Sequence, residues 1–178
     1  MTLPMSIRIA SSGAKIGFVF ARRGIVMEAC SSYFLPRLIG YSRSMHLITT
    51  GATYLASDKL LDSLFSEVVD GGPEGVLPRA LEVAEEVARN TSVVSTYMMR
   101  ELMWRGPGSA EATHLLDSRI IFDMFRGSDN KEGVAAFLEK RPVAFKGTMA
   151  ADAPAVWPWW DWVDTVPRVT AASRGSKL

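Results

Sequence analysis

The hydrophobic positions of this chain recur in mixed strand and helix periods at first, and from Val76 on in a helical period alone. Leu3, Met5, Ile7 and Ile9 are apolar at every second position and are expected to be buried. Ser11-Ser12-Gly13 reads as a turn, and Ala14 to Phe20 alternates into a strand. A helical pattern follows over Tyr33 to Thr50, with Leu35, Leu38, Ile39 and Leu47 inward and Arg37 and Arg43 on its polar side. Pro36 falls early in that stretch, where a missing amide donor is tolerated. Gly51 closes it. A small-residue patch then precedes a short helix, Ala56 to Ser63, and an apolar strand, Leu64 to Val69.

Asp70-Gly71-Gly72-Pro73 is a strong turn. Beyond it Leu77, Leu81, Val83, Ala84, Val87 and Ala88 form an apolar stripe, with Glu82, Glu85, Glu86 and Arg89 toward water. Val93 to Trp104 predicts another helix, stopped by Gly106-Pro107-Gly108, and its methionines read as adaptable core. Ser109 with Ala112 marks entry to a helix through Phe125. Gly127-Ser128-Asp129-Asn130 breaks it, and Lys131 to Lys140 makes a last short helix. After Arg141-Pro142 the tail becomes rich in proline and tryptophan. Trp157, Trp159, Trp160 and Trp162 are expected to pack on their own domain or a neighbouring subunit, an aromatic ligand cage being the third possibility.

With 178 residues, 48% of them hydrophobic, the chain amounts to one domain or most of one. A net charge of +1 gives no reason to expect a nucleic-acid partner or a polybasic membrane patch. No apolar run approaches the ~20 residues of a membrane span, and the start lacks the basic-then-apolar order of a signal peptide. Because Leu3 to Ile9 have no cap or turn before them, the chain reads as starting inside a fold. The lone cysteine, Cys30, allows no internal disulfide, and with only His46 and His114 beside it a structural zinc site lacks ligands. No resident cofactor is expected.

Candidate chemistry gathers in Arg22-Arg23-Gly24-Ile25-Val26-Met27-Glu28-Ala29-Cys30-Ser31-Ser32, which links the strand to the first helical pattern. Glu28 reads either as an acid at a helix start, favoured by the macrodipole, or as a carboxylate facing a ligand at a strand-to-helix connection. Cys30 has no histidine nearby in sequence to activate it, and Arg22 and Arg23 read as salt-bridging residues. At the other end, Ser176-Lys177-Leu178 is the tripeptide read as a peroxisomal address, presented by a small, polar and basic stretch from Thr170 to Gly175. It predicts a peroxisomal location and an import receptor as partner.

Several stretches together resemble the crotonase superfamily, the enoyl-CoA hydratase/isomerase family. They are Ile7-Arg8-Ile9-Ala10-Ser11 with Ala14-Lys15-Ile16-Gly17-Phe18, Arg23-Gly24-Ile25, Leu35-Pro36-Arg37-Leu38-Ile39-Gly40 and Leu60 to Val69. Asp129-Asn130-Lys131-Glu132-Gly133 through Arg141 is similar to the family's terminal-helix signature. The likeness runs from Met1 to about Lys146. It implies an α/β (α+β) fold: residues 1–72 as the C-terminal part of a ββα spiral, residues 73–146 as helices that build trimers or hexamers, and residues 147–178 as a tail beyond the common pattern.

The resemblance also implies a chemistry. Family members hold an acyl-CoA enolate between two backbone N–H donors, which here would come from segments upstream of Met1. Hydratases use two glutamates; Phe20 stands where one would be, and the other would precede Met1. Enoyl-CoA isomerases use one acid in the context that Met27-Glu28-Ala29-Cys30-Ser31-Ser32 resembles, with Met27 departing from a usual proline. The resemblance thus implies Glu28 as the proton shuttle of a 3-enoyl-CoA to 2-enoyl-CoA shift. Its apolar neighbours would raise its pKa and aid return of the proton. Lys146 matches a lysine that in some members approaches the CoA phosphates, the alternative being a solvated surface charge. Fungal relatives serve fatty-acyl metabolism or acyl side-chain synthesis in secondary metabolism, including toxins. The competing expectation is a non-catalytic paralogue or a subunit of mixed crotonase-like trimers.

Overall fold

Two short pieces of sheet organise the first half of the chain in the computed structural model, which describes residues 2–166. In chain order the elements are β1 (Ile9–Ser11), β2 (Lys15–Gly17), α1 (Ser31–Ile39), α2 (Tyr41–Thr50), β3 (Thr53–Leu55), β4 (Glu67–Val69) and α3 (Pro73–Asn90). β1 pairs with β4 in parallel, Ala10 opposite Val68, and β2 pairs with β3 antiparallel, Ile16 opposite Tyr54. A parallel pair needs a long crossover, and α1, α2 and β3 form it. Phe18, Leu35, Ile39, Leu47, Leu61 and Leu64 make the core, with Leu38 and Phe20 packed against it. Each such side chain contributes about 1.5–3 kcal/mol relative to exposure. The inward positions expected of the helical pattern are the buried ones.

Several boundaries differ from expectation, each for a local reason. The strand after the first turn covers only Lys15–Gly17, because the chain turns through Val19 and Phe20 into a short 3-10 helix at Ala21–Arg23. The single helix over Tyr33 to Thr50 is two helices: Gly40, at φ 83° and ψ 160°, leaves helical space between them. Pro36 sits inside α1 beyond its first turn. The helix expected at Ala56 to Ser63 shrinks to a 3-10 turn at Lys59–Leu61, capped by the Asp58 carboxylate on the Leu60 amide at 2.9 Å. The strand after it keeps only Glu67–Val69, while Leu61 and Leu64 turn into the core.

Leu3 packs on the core and Ile9 is half-buried as expected, but two of the opening residues are not buried. Met5 and Ile7 are 57% and 51% exposed, whereas Arg8 is buried. Its Nε donates to the Leu64 carbonyl at 2.8 Å and its Nη1 to the carbonyls of Leu3 and Met5. Carbonyls outside a sheet ladder need donors, and one guanidinium supplies them. α3 is likewise rotated from its expected orientation. Leu77 and Leu81 of the stripe are 64% and 55% exposed, and the half-buried positions are Val76, Arg79, Ala80 and Val83. An ion pair from Arg79 Nε to Glu67 of β4 at 2.9 Å holds that other face toward the sheet.

The second unit begins at Ser92 and contains α4 (Val93–Arg105), α5 (Ala110–Met124), α6 (Ser128–Glu139) and α7 (Met149–Asp152). Ser92 and Ser109 cap α4 and α5 by accepting from the Ser95 and Ala112 amides, each at 3.2 Å. The break before α6 is shorter than expected, since helix begins at Ser128 behind Gly127. Val94, Met98 and Ile120 form the core, and Met149, Trp157 and Trp159 pack on it. Trp157 and Trp159 therefore pack on their own unit with Trp160 against their rings, whereas Trp162 is 87% exposed, contrary to expectation. Trp159 Nε1 donates to the Arg105 carbonyl at 2.9 Å, and the Arg105 guanidinium lies 4.4 Å over the Trp160 ring. Among the described residues no helix is long and apolar enough to cross a membrane. The tripeptide Ser176-Lys177-Leu178 lies outside them.

Candidate functional site

Glu28 is the only carboxylate in the first 57 residues of the chain. It stands on an exposed loop that leads from the 3-10 turn to α1. The helix does not begin at Glu28, so the macrodipole reading of this acid does not hold. Ala29 and Cys30 intervene, both with left-handed backbone at φ 50° and 58°, and α1 starts at Ser31 with no acid in its first turn. Non-glycine residues in that region cost about 1–2 kcal/mol each, so the loop holds a conformation that its own residues disfavour. Ser31 is its anchor: its hydroxyl and amide both donate to the Glu28 carbonyl, at 2.5 and 3.0 Å. The Glu28 main chain is thereby fixed three residues before the helix while its side chain faces outward.

The surroundings of this loop are partly as expected. Phe20, expected from the resemblance to stand where a second acid would serve hydration, packs against the core. Ile25 and Val26, expected to enclose Glu28 in an apolar setting, are 57% and 85% exposed, so among the described residues that enclosure is absent. Arg22 makes a bond different from the expected salt bridge. Its Nε donates to the Thr50 carbonyl at 2.7 Å, placing a cation on the C-terminal carbonyls of α2, where the helix dipole favours it. The stem of Arg22 crosses Gly51, where an added Cβ would meet Arg22 Cγ at 2.9 Å. Cys30 is exposed, and no group of His, Cys, Asp or Glu suited to a metal ion occurs among the described residues. A cavity of about 370 Å³ between Ser12, Ser57, Asp62 and Asp70 includes neither Glu28 nor Phe20.

Lys146 belongs to the second unit, in an extended stretch after α6, with its side chain in solvent. Two acids of α6 hold that stretch, which explains the terminal-helix signature physically. Glu132 pairs with Arg141 at 2.7 Å and accepts the Ala144 amide at 2.7 Å. The Arg141 hydrogen bonds, then the Ala144 amide, lower the Glu132 carboxyl to about 2. One oxygen of Asp129 accepts the amides of Lys146 and Gly147 at 3.1 and 2.9 Å, and the other accepts the Ser92 hydroxyl at 2.6 Å. Partial burial pushes the Asp129 carboxyl up, but these bonds outweigh it and leave it below its ordinary value. The signal in sequence was a pair of acids three apart at a helix start with an arginine beyond the helix end. Only the return of the chain shows what they bind.

The chain is similar to known proteins in sequence and in fold. Residues 1–148 match the family model described as enoyl-CoA hydratase/isomerase. The chain is 54% identical over 149 residues to the enoyl-CoA hydratase AFT3-1 of Alternaria alternata, covering 84% of this chain and 50% of that protein. The enoyl-CoA hydratase ACTT3 of the same organism matches at 54% identity over the same shares. The crystal structure of an enoyl-CoA hydratase from Bacillus anthracis superposes with a TM-score of 0.76 at 27% identity, over 83% of this chain and 56% of that one. The chain spans about half the length of the curated relatives it matches.

Proposed function

The chain belongs to the enoyl-CoA hydratase/isomerase family, and from that premise we propose that it handles acyl-CoA thioesters with Glu28 as its single acid–base group. The observation that carries this reading is the pairing of Glu28 with Phe20. One carboxylate projects from a loop whose main chain is pinned, and Phe20, which by resemblance stands at the other acid position of a hydratase, packs on the core. Moving a double bond from C3 to C2 requires removal of a proton at C2 and its return at C4. One carboxylate that reaches both carbons performs both transfers. Hydration requires in addition a positioned water, for which a second carboxylate is the usual means. The reaction class favoured is therefore 3-enoyl-CoA to 2-enoyl-CoA isomerisation. Lys146 serves as a phosphate contact for the CoA moiety, since its ammonium is exposed while its backbone is held.

We further propose a peroxisomal setting through Ser176-Lys177-Leu178, in fatty-acyl metabolism or acyl-chain synthesis of secondary metabolites such as toxins. The terminal tripeptide supports the address, and the likeness to fungal relatives at 54% identity supports the lineage. Purified chain incubated with 3-enoyl-CoA tests the activity by absorbance of the conjugated 2-enoyl product. Turnover that falls by about 10²-fold or more in Glu28→Gln is expected from general acid–base catalysis. A soluble, folded preparation without turnover would refute the claim that this chain is itself an isomerase.

A second reading, an assembly subunit of homo- or mixed trimers or hexamers, has its own observation. Leu115 of α5 and Phe137 and Leu138 of α6 are 72%, 83% and 72% exposed, more apolar side chain than a free helical surface ordinarily leaves in water. Light scattering of the purified chain, alone and mixed with a full-length relative, separates the two readings.

A further inference from the structure

We propose that Asp129, held by Ser92, is a positioning residue for Lys146, setting that lysine's backbone so that its ammonium meets the CoA phosphates. The inference rests on the reading of Lys146 given above and adds the group that acts through it. After α6 the chain turns at Lys140, which is left-handed at φ 54°, and runs back extended. Positions 143, 145, 147 and 149 are half-buried and 144, 146 and 148 are exposed, so the strand-like period turns Lys146 outward. Amides of alternate residues in this run donate to α6: Ala144 to Glu132, and Lys146 to Asp129.

Asp129 is the tighter clamp, because Gly147 also donates to it and Ser92 fixes its second oxygen. Gly147 has no space for a side chain; an added Cβ would lie 2.6 Å from Asp129 Oδ2. Downstream, Thr148 caps α7 and Met149 packs on the core of the unit, so the segment is held on both sides of Lys146. The Lys146 charge lies near enough to Glu132 to help lower that carboxyl, behind the Arg141 and Ala144 contacts that dominate it. A lysine is a flexible stem carrying a point charge. Fixing the main chain at its root limits the ordering that remains to be done when an anion binds.

The test is the ratio of dissociation constants for free pantetheine and free CoA, which differ in the phosphate-bearing nucleotide. Calorimetry on the full chain and its variants measures both. The full chain is expected to prefer CoA by about tenfold, as one charge-assisted contact would give, and Lys146→Ala to bring the ratio near one. Asp129→Ala and Gly147→Ala, which leave the lysine in place, should each lower the ratio by about three- to tenfold. Asp129→Asn should restore it, since the amide oxygen still accepts both backbone N–H groups. A merely structural role would weaken both ligands together and leave the ratio unchanged. If Lys146→Ala abolishes the preference while folded Asp129→Ala and Gly147→Ala retain it, the positioning role is overturned and the lysine reading stands. If the unmodified chain shows no preference for CoA, the lysine reading fails and this proposal fails with it.

Discussion

Glu101 of α4 offers the sharpest stability test in this protein. Its side chain is 4% exposed and accepts from Arg100 Nη1 and Arg105 Nε, each at 2.7 Å. Each charge-assisted bond is worth about 1.5–3 kcal/mol net, and removing one partner of a fully buried pair costs about 3–5 kcal/mol. Here the arginines retain 34% and 43% exposure, and each keeps an aromatic face, Trp104 at 3.7 Å for Arg100 and Trp160 at 4.4 Å for Arg105. Once Glu101 is gone they are rehydrated rather than stranded, so Glu101→Ala is expected to cost about 2–3 kcal/mol, below the fully buried figure. Glu101→Leu, which refills the volume, should cost about 1 kcal/mol less. All five tryptophans lie beyond Thr91, so fluorescence during urea unfolding reports on the second unit. At a slope of about 1–2 kcal/mol/M the midpoint should fall by about 1–3 M. A loss under about 0.5 kcal/mol, or a Glu101/Arg105 double-mutant cycle with no coupling, would refute the argument that this carboxylate organises α4 and the tail.

Other expectations follow from single contacts. Ala29→Gly removes a left-handed alanine at φ 50° and should stabilise the first unit by up to about 1 kcal/mol, read by circular dichroism in urea; destabilisation would mean the loop is not strained. Gly51→Ala faces both a φ of 55° and the Arg22 stem at 2.9 Å, and should destabilise by about 1 kcal/mol or more, with part of the loss recovered in an Arg22→Ala background. Glu132 has a folded pKa depressed to about 2 from an ordinary 4.5, so its contribution is complete above about 4.5 and is lost as pH falls toward 2. The thermal midpoint of the second unit should drop across that window, and Glu132→Gln should flatten the drop; parallel profiles would count against the Glu132–Arg141 anchor.

How much of the fold was legible depended on the range of the contact. Ser109 before Ala112 and Gly51 after Thr50 are signals whose partners lie within four residues, and both are realised in place. The apolar positions Leu35, Ile39 and Leu47 followed from helical period and fill the core. Gly40 broke a pattern that continued on both sides, because periodicity does not register one residue leaving helical space. The residues of the candidate site were legible as types in order: Phe20 on the core, Glu28 in its loop and Lys146 after the terminal helix. The clamp on Lys146 was not, since Asp129 meets its amide 17 residues on and the Ser92 hydroxyl 37 residues back.

The sequence by itself determined the helical course of the chain beyond Pro73, the Ser109 entry, the Gly51 stop, the family pattern and the identity of the one carboxylate available near the first helix. Those rest on local backbone preferences and on residue chemistry that no packing alters. Only the tertiary structure decided that Arg8 is buried while Met5 and Ile7 face water, and that α3 half-buries Val76 and Ala80 instead of Leu77 and Leu81. It alone places Glu28 before its helix behind two left-handed residues. For Arg8 and for α3 an acceptor or an ion pair distant in sequence had to be satisfied. The cost of leaving such a group unpaired exceeds the few tenths of a kcal/mol by which local propensities differ.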